Sequence, residues 1–224
     1  MLKRNIVKIS LFITISLLSS SSICNGNEND RLLLHIKNKI SACRSKKDAK
    51  RFLYYVNEVI DIVQDSFSKL ASHRRSNDEY RIKKNLLKNY FENEAWVQVS
   101  SVNSPLIITQ NIYDYLNRLT NYKDRYEKVE LYFDKEYLAF GNIHEFGSKN
   151  NKSYEFNLAA SQIFKGYIGD NIQYSDATIK VFNFIFKKVG NSWTLKIRSI
   201  TAKETFSESY YDNNKGKIWL KKNF

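Results

Sequence analysis

Apolar positions along the chain fall into two regimes. In the first half they recur at steps of three and four. Leu32, Leu33, Ile36 and Ile40 mark one helix. Phe52, Val56, Val59, Ile60, Val63, Phe67 and Leu70 mark a longer one, whose single apolar stripe predicts burial on one side and whose start Ser45 can cap. After the polar break at His73–Asp78, Ser76 and Glu79 stand at capping-box spacing. Tyr80, Ile82, Leu86, Leu87, Tyr90 and Phe91 continue a helix toward Asn93. Ala95–Ser101 alternates as a strand, Pro105 is read into a following loop, and Thr109 or Asn111 starts a short helix carrying Ile112, Tyr115, Leu116 and Leu119.

From Tyr126 to Thr205 the period changes to two. Four long strands are predicted: one from Val129 to about His144 with Gly141 as a bulge, one from Tyr154 to Gly166, and a pair, Ser175–Lys188 and Ser192–Lys203, joined by a tight turn at Val189–Asn191. Strands this long must coil, and the glycines supply the places where they do. The tail, 206–224, mixes aromatic and charged residues and fits either an added element or a mobile end.

The N-terminus adds a separate message. A basic start with Lys3, Arg4 and Lys8, an apolar run of about a dozen residues too short for a membrane span of about 20, and the small-residue stretch Ser19–Ser22 form the pattern of an export signal. Residues 1–24 are therefore expected to be removed, and Cys24 is a candidate lipidation site, although Ile23 is larger than the residue that normally precedes a lipidated cysteine. The expected organisation is a signal peptide (1–24), an N-terminal helical extension (25–46), one domain (47–205) and a tail (206–224).

Charge narrows the partners. The chain has 36 Lys and Arg against 23 Asp and Glu, a net charge of +13, and the signal removes three bases and no acid. On an exported protein such a balance is either simply a solvated basic surface, the reading adopted, or a match for anionic membrane surfaces or acidic glycans, with nucleic acid the least expected partner. The two cysteines, Cys24 and Cys43, make no disulfide framework, though a bridge between them is open if Cys24 stays in the mature chain. His35, His73 and His144 are scattered, and no Cys/His cluster has zinc spacing. No metal and no cofactor are expected. Gly-rich phosphate loops and nucleophile elbows are absent from the sequence.

Several phrases carry a family resemblance. Phe91–Val99 resembles the hand-over from second helix to first strand in nuclear transport factor 2-like domains, and Ile112–Leu116 is similar to their short third helix. Gln162–Gly166, Tyr174–Lys180 and Trp193–Ile200 resemble exported bacterial members of that superfamily. The resemblance spans about residues 47–205. It implies an α+β cone: a curved antiparallel sheet wrapped around the helices, with a pocket at the open end.

The superfamily contains isomerases and dehydratases that work with an acid or His in the cone, and also members without chemistry. Asp176, Thr178 and Lys180 share one side of a strand, with Gln162 and Arg198 on neighbouring strands, as a row that either lines the mouth of the cone or forms an exposed sheet face. The reading adopted is a non-catalytic domain of the cell envelope (periplasmic, outer-membrane-anchored or secreted). It would bind a small molecule or an envelope protein through Gln162, Asp176, Lys180 and Arg198, touch the membrane only through a lipid on Cys24, and dimerise, if at all, through its sheet. The alternatives are an enzyme using Asp176 or His144 as base, with Lys180 or Arg198 offsetting negative charge, and an assembly component of a secretion system. Tyrosines beside basic residues, such as Tyr54, Tyr55, Tyr132, Tyr137, Tyr154, Tyr167 and Tyr174, are packing or platforms for sugars and planar ligands.

Overall fold

The computed structural model describes residues 26–72, 76–148, 151–189 and 192–220. The expectations for the export signal, for Cys24 and for His73 fall outside them. Helices α1 (Gly26–Lys39), α2 (Lys46–Ser72) and α3 (Ser76–Asn89) lead into strands β1 (Phe91–Ser101) and β2 (Ser104–Asn111). Helix α4 (Ile112–Thr120) and one 3-10 turn follow, then β3 (Lys128–Ser148), β4 (Asn151–Ile168), β5 (Asn171–Val189), β6 (Ser192–Phe206) and a last helix, α5 (Glu208–Leu220). The strands form one curved, unclosed sheet in the order β2-β1-β6-β5-β4-β3.

Local chemistry accounts for the boundaries. Ser45 accepts from the Asp48 amide at 3.1 Å and starts α2, and Asn111 accepts from the Asp114 amide at 2.8 Å and starts α4. Gly141 lies where the β3–β4 register shifts, between Phe140 and Ile143, as the bulge expected there.

Three expectations are corrected. Helix α3 ends at Asn89 instead of running toward Asn93, because Phe91 is already the first residue of β1 and is buried there. The sheet is mixed rather than antiparallel, because β1 runs parallel to β6, pairing Trp96 with Ser199 and Val97 with Ile200. The segment around Pro105 is an edge strand instead of a loop. Pro105 lacks an amide proton, which an edge tolerates, and Leu106, Ile107 and Ile108 stay exposed there, so no alternation announces the strand.

The stripe of α2 is buried against the concave face. Phe52 meets Phe156 of β4 and Phe186 of β5 at 5.3 and 5.1 Å between ring centroids, and Phe133 meets Phe182 at 5.1 Å. Leu33, Ile36 and Ile40 of the N-terminal extension enter the same core. Buried Cys43 joins them, and its thiol is pushed up to about 11 by burial and then by Asp48, so it is held unreactive. The tail forms α5 on the convex face, where Tyr211 is buried against Ile163, Ala177 and Ile179 and Glu208 pairs with Lys165 at 2.5 Å.

Gly166 permits one close approach. A Cβ there would sit 2.5 Å from the ring of Tyr126, which packs edge-on against Phe164. Gly166→Ala is expected to destabilise the protein by about 1–3 kcal/mol through overpacking, as read by chemical denaturation. An unchanged midpoint would show that Tyr126 is free to move.

Candidate functional site

The inner row of β5 changes character along its length. Phe186, Phe184 and Phe182 belong to the apolar core, and the next three residues on the same side are Lys180, Thr178 and Asp176. The intervening Ala177 and Ile179 face α5 on the other side of the sheet. The polar row is therefore internal: Asp176 is 6% exposed and Lys180 3%. Gln162 of β4 stands opposite Thr178 and is buried too. An exposed sheet face is ruled out for these four residues.

Strand register explains how a lysine fits. Lys180 lies between Ala160 on β4 and Ala202 on β6, and these small neighbours leave room for its side chain to cross β6. Its Nζ donates to the backbone carbonyl of Gln98 on β1 at 2.6 Å. Asp176 accepts from the Tyr174 hydroxyl, which is in turn 2.7 Å from Ser101 Oγ at the end of β1. A second hydroxyl chain runs alongside, with Thr178 Oγ1 at 3.0 Å from Thr205 Oγ1 and Thr205 at 2.5 Å from Ser100 Oγ. Both chains reach an open cleft of about 340 Å³ lined by Ser100–Ser104, Ile107 and Lys203–Thr205.

Burial dominates the electrostatics. It lifts the Asp176 carboxyl to about 6, against the opposing pull of the Tyr174 hydrogen bond and the Lys180 charge. It lowers Lys180 to about 8, with Asp176 acting upward and Arg118 of α4 downward. Among the described residues no direct ion pair joins Asp176 to Lys180. Tyr115 of α4, buried, is held well above the ordinary tyrosine range by burial and by Tyr122, with Gln162 hydrogen bonding in the opposite sense. Tyr174 is raised as well, by burial and by its hydrogen bond to Asp176.

Two expected members lie elsewhere. Arg198 sits where the β5–β6 register shifts, which turns it off the inner row; its side chain is half exposed and pairs with Glu155 at 3.1 Å. His144 is exposed on edge strand β3 opposite Glu155, while Asp176 is opposite Phe164. The separation of residues 155 and 164 along β4 is about 30 Å at roughly 3.3 Å per residue. Sequence reading missed Tyr174 as the partner of Asp176, although two-residue spacing places both on one side. Ser101, Thr205 and Gln98 carried no local signal, because strand pairing alone brings them in. Among the described residues no group of His, Cys, Asp and Glu has metal-binding geometry, and no helix is long and apolar enough to cross a membrane.

No protein-family model matches the chain, and no curated protein matches it in sequence. Solved structures with a similar arrangement include a Novosphingobium aromaticivorans protein named after scytalone dehydratase (12% identity, 69% of this chain and 88% of that one, TM-score 0.37). A Streptomyces avermitilis protein described as an NTF2-like family member gives 8% identity, coverage of 67% and 93%, and a TM-score of 0.35. The yeast UBP3-associated protein BRE5 gives 14%, 65% and 92%, and 0.33. Likenesses this distant say nothing of activity. Element order and sheet topology stand on their own: the chain has an α+β fold, helices followed by a curved, unclosed mixed sheet that packs around them.

Proposed function

We propose that this is an exported domain of the bacterial cell envelope that binds a small polar ligand in the cleft at the mouth of the cone without transforming it. The observation that carries the reading is the hydroxyl relay from buried Asp176 through Tyr174 to Ser101 on the cleft floor. Export is supported by the N-terminal sequence pattern alone. Absence of turnover is supported by the engagement of both buried charges with protein groups, Asp176 with Tyr174 and Lys180 with the Gln98 carbonyl.

The relay has a direction. The Tyr174 hydroxyl has a single proton; while Asp176 is ionised that proton goes to the carboxylate, and Ser101 donates inward to Tyr174. The cleft then meets the remaining lone pair of Ser101 Oγ, which also accepts from the Asn103 amide at 3.2 Å. Once Asp176 is protonated the chain can reverse, so that Ser101 offers its proton to the cleft.

Ligand-observed NMR screening of small carboxylates, amides and sugars tests the proposal. Binders are expected to weaken at least tenfold in Ser101→Ala and in Tyr174→Phe. Their affinity should change with pH around 6 in the parent protein and lose that change in Asp176→Asn. Binders indifferent to all three substitutions would remove the cleft from consideration.

A second reading, acid–base catalysis, is favoured by one fact: Asp176 at about 6 and Lys180 at about 8 lie on either side of neutrality. Turnover of any binder that disappears in Asp176→Asn would replace the binding reading with this one.

A further inference from the structure

A second depression lies away from the mouth of the cone, between α3 and α4. It encloses about 610 Å³ and is lined by Lys83, Lys84, Lys88, Tyr80 and Leu87 of α3 with Tyr113 and Asn117 of α4. Its volume falls within the range of ligand sites. Among the described residues the one acid on its rim, Glu79, is neutralised by Lys123 at 2.9 Å, so the rim holds no further carboxylate to offset the three lining lysines.

Each wall offers an aromatic face to solvent: Tyr80 is 69% exposed and Tyr113 58%. The groove is partly organised already. Lys83 donates to Asn117 at 2.8 Å, tying the two helices together. Lys84 lies over the Tyr80 ring at 5.6 Å from its centroid, so cation and aromatic face form one surface. Leu86 anchors α3 in the core, and α3 packs against α4.

We infer that this groove is a binding site for an acidic polysaccharide segment, with sugar rings on Tyr80 and Tyr113 and their carboxylates on Lys84 and Lys88. A flat aromatic ring with an exposed face suits the apolar face of a sugar, and a lysine beside it suits a charge carried on that sugar. Even without Lys3, Arg4 and Lys8 of the export signal, the chain keeps a large excess of bases over acids, which adds long-range attraction for the same class of polymer. The lysines stand on the α3 wall beside Tyr80, while the α4 wall brings Tyr113 and no charge, which distinguishes the groove from an evenly basic surface. The site is independent of Asp176 and its relay.

The test is calorimetric titration of the full domain with an α-1,4-linked galacturonic acid hexamer, against neutral maltohexaose and against vesicles of phosphatidylglycerol. Saturable binding of the acidic hexamer is expected, at least tenfold tighter than that of the neutral one and weakened severalfold by raising salt from about 50 to about 200 mM. Lys84→Gln/Lys88→Gln and Tyr80→Ala should each weaken it at least fivefold. The charge-matched control Lys37→Gln/Lys39→Gln on α1 should change it less than twofold. Equal loss in the control would overturn the inference by reducing the attraction to overall charge. Equal binding of both hexamers, or binding to vesicles alone, would overturn it as well.

Discussion

Phe156→Ala is expected to lower the unfolding free energy by about 3–5 kcal/mol, the range for removing a fully buried aromatic ring. Phe156 is 1% exposed and stands where four elements converge. Phe52 of α2 meets it edge-on at 5.3 Å, while Phe140 of β3 and Phe184 of β5 stack on it at 5.0 and 5.2 Å. Those neighbours are anchored in separate elements, so the hole left by the ring cannot be closed by one local shift, and the cavity cost adds to the lost transfer energy. Guanidinium denaturation of the two proteins measures it. A loss below about 1 kcal/mol would mean that α2 does not seat on the sheet as described.

The double substitution Asp176→Asn/Lys180→Met is expected to gain about 1–4 kcal/mol at neutral pH, as replacing buried opposite charges by neutral side chains often does. The carboxamide introduced in place of Asp176 can still accept from Tyr174, while the Gln98 carbonyl loses its donor, which trims the gain. The pH profile is the sharper part of the prediction. Asp176 has its folded value raised from 3.8 to about 6, so its contribution to stability is complete below 3.8 and lost as pH rises through about 6. Lys180 has its folded value lowered from 10.5 to about 8, so its contribution is complete above 10.5 and lost as pH falls through about 8. The parent is therefore weakest, relative to the double variant, between about pH 6 and about pH 8. The advantage of the variant should peak in that window and shrink on either side, toward the ordinary carboxylate range and toward the ordinary lysine range. A flat difference, or a less stable variant at neutral pH, would show that the two charges are not buried in the folded protein.

Retaining charges that cost stability is a mark of sites kept for their chemistry. Here the cost is concentrated at one end of the concave face, where the phenylalanine row of β5 gives way to Lys180, Thr178 and Asp176. The remainder of that face is filled by α2, so the mouth is where the fold has polarity left to use.

The local code was strong where one element could be read alone. The three- and four-residue steps from Phe52 to Leu70 specified α2 and its buried stripe, Ser45 specified one helix start and Thr109 or Asn111 bracketed another that Asn111 makes, alternation specified β3 to β6, and Gly141 marked the bulge. These features depend on backbone geometry and nearest neighbours, which the chain states directly. It also placed Asp176, Thr178 and Lys180 on one side of a strand.

Which side of the sheet that was emerged from long-range packing alone, because a two-residue period is the same whether the face meets water or α2. Arg198 left the row because a bulge reverses parity, and a bulge is a property of a strand pair rather than of one strand. β2 and the parallel pairing of β1 with β6 depend on partners distant in sequence. α5 has no apolar stripe of its own; Tyr211 is buried there because Ile163, Ala177 and Ile179 supply the surface. The relay from Asp176 to Ser101 joins strands whose hydrogen-bonded residues, Ser101 and Tyr174, are 73 positions apart in the chain, and the long-range register of the curved sheet is the physical reason it exists.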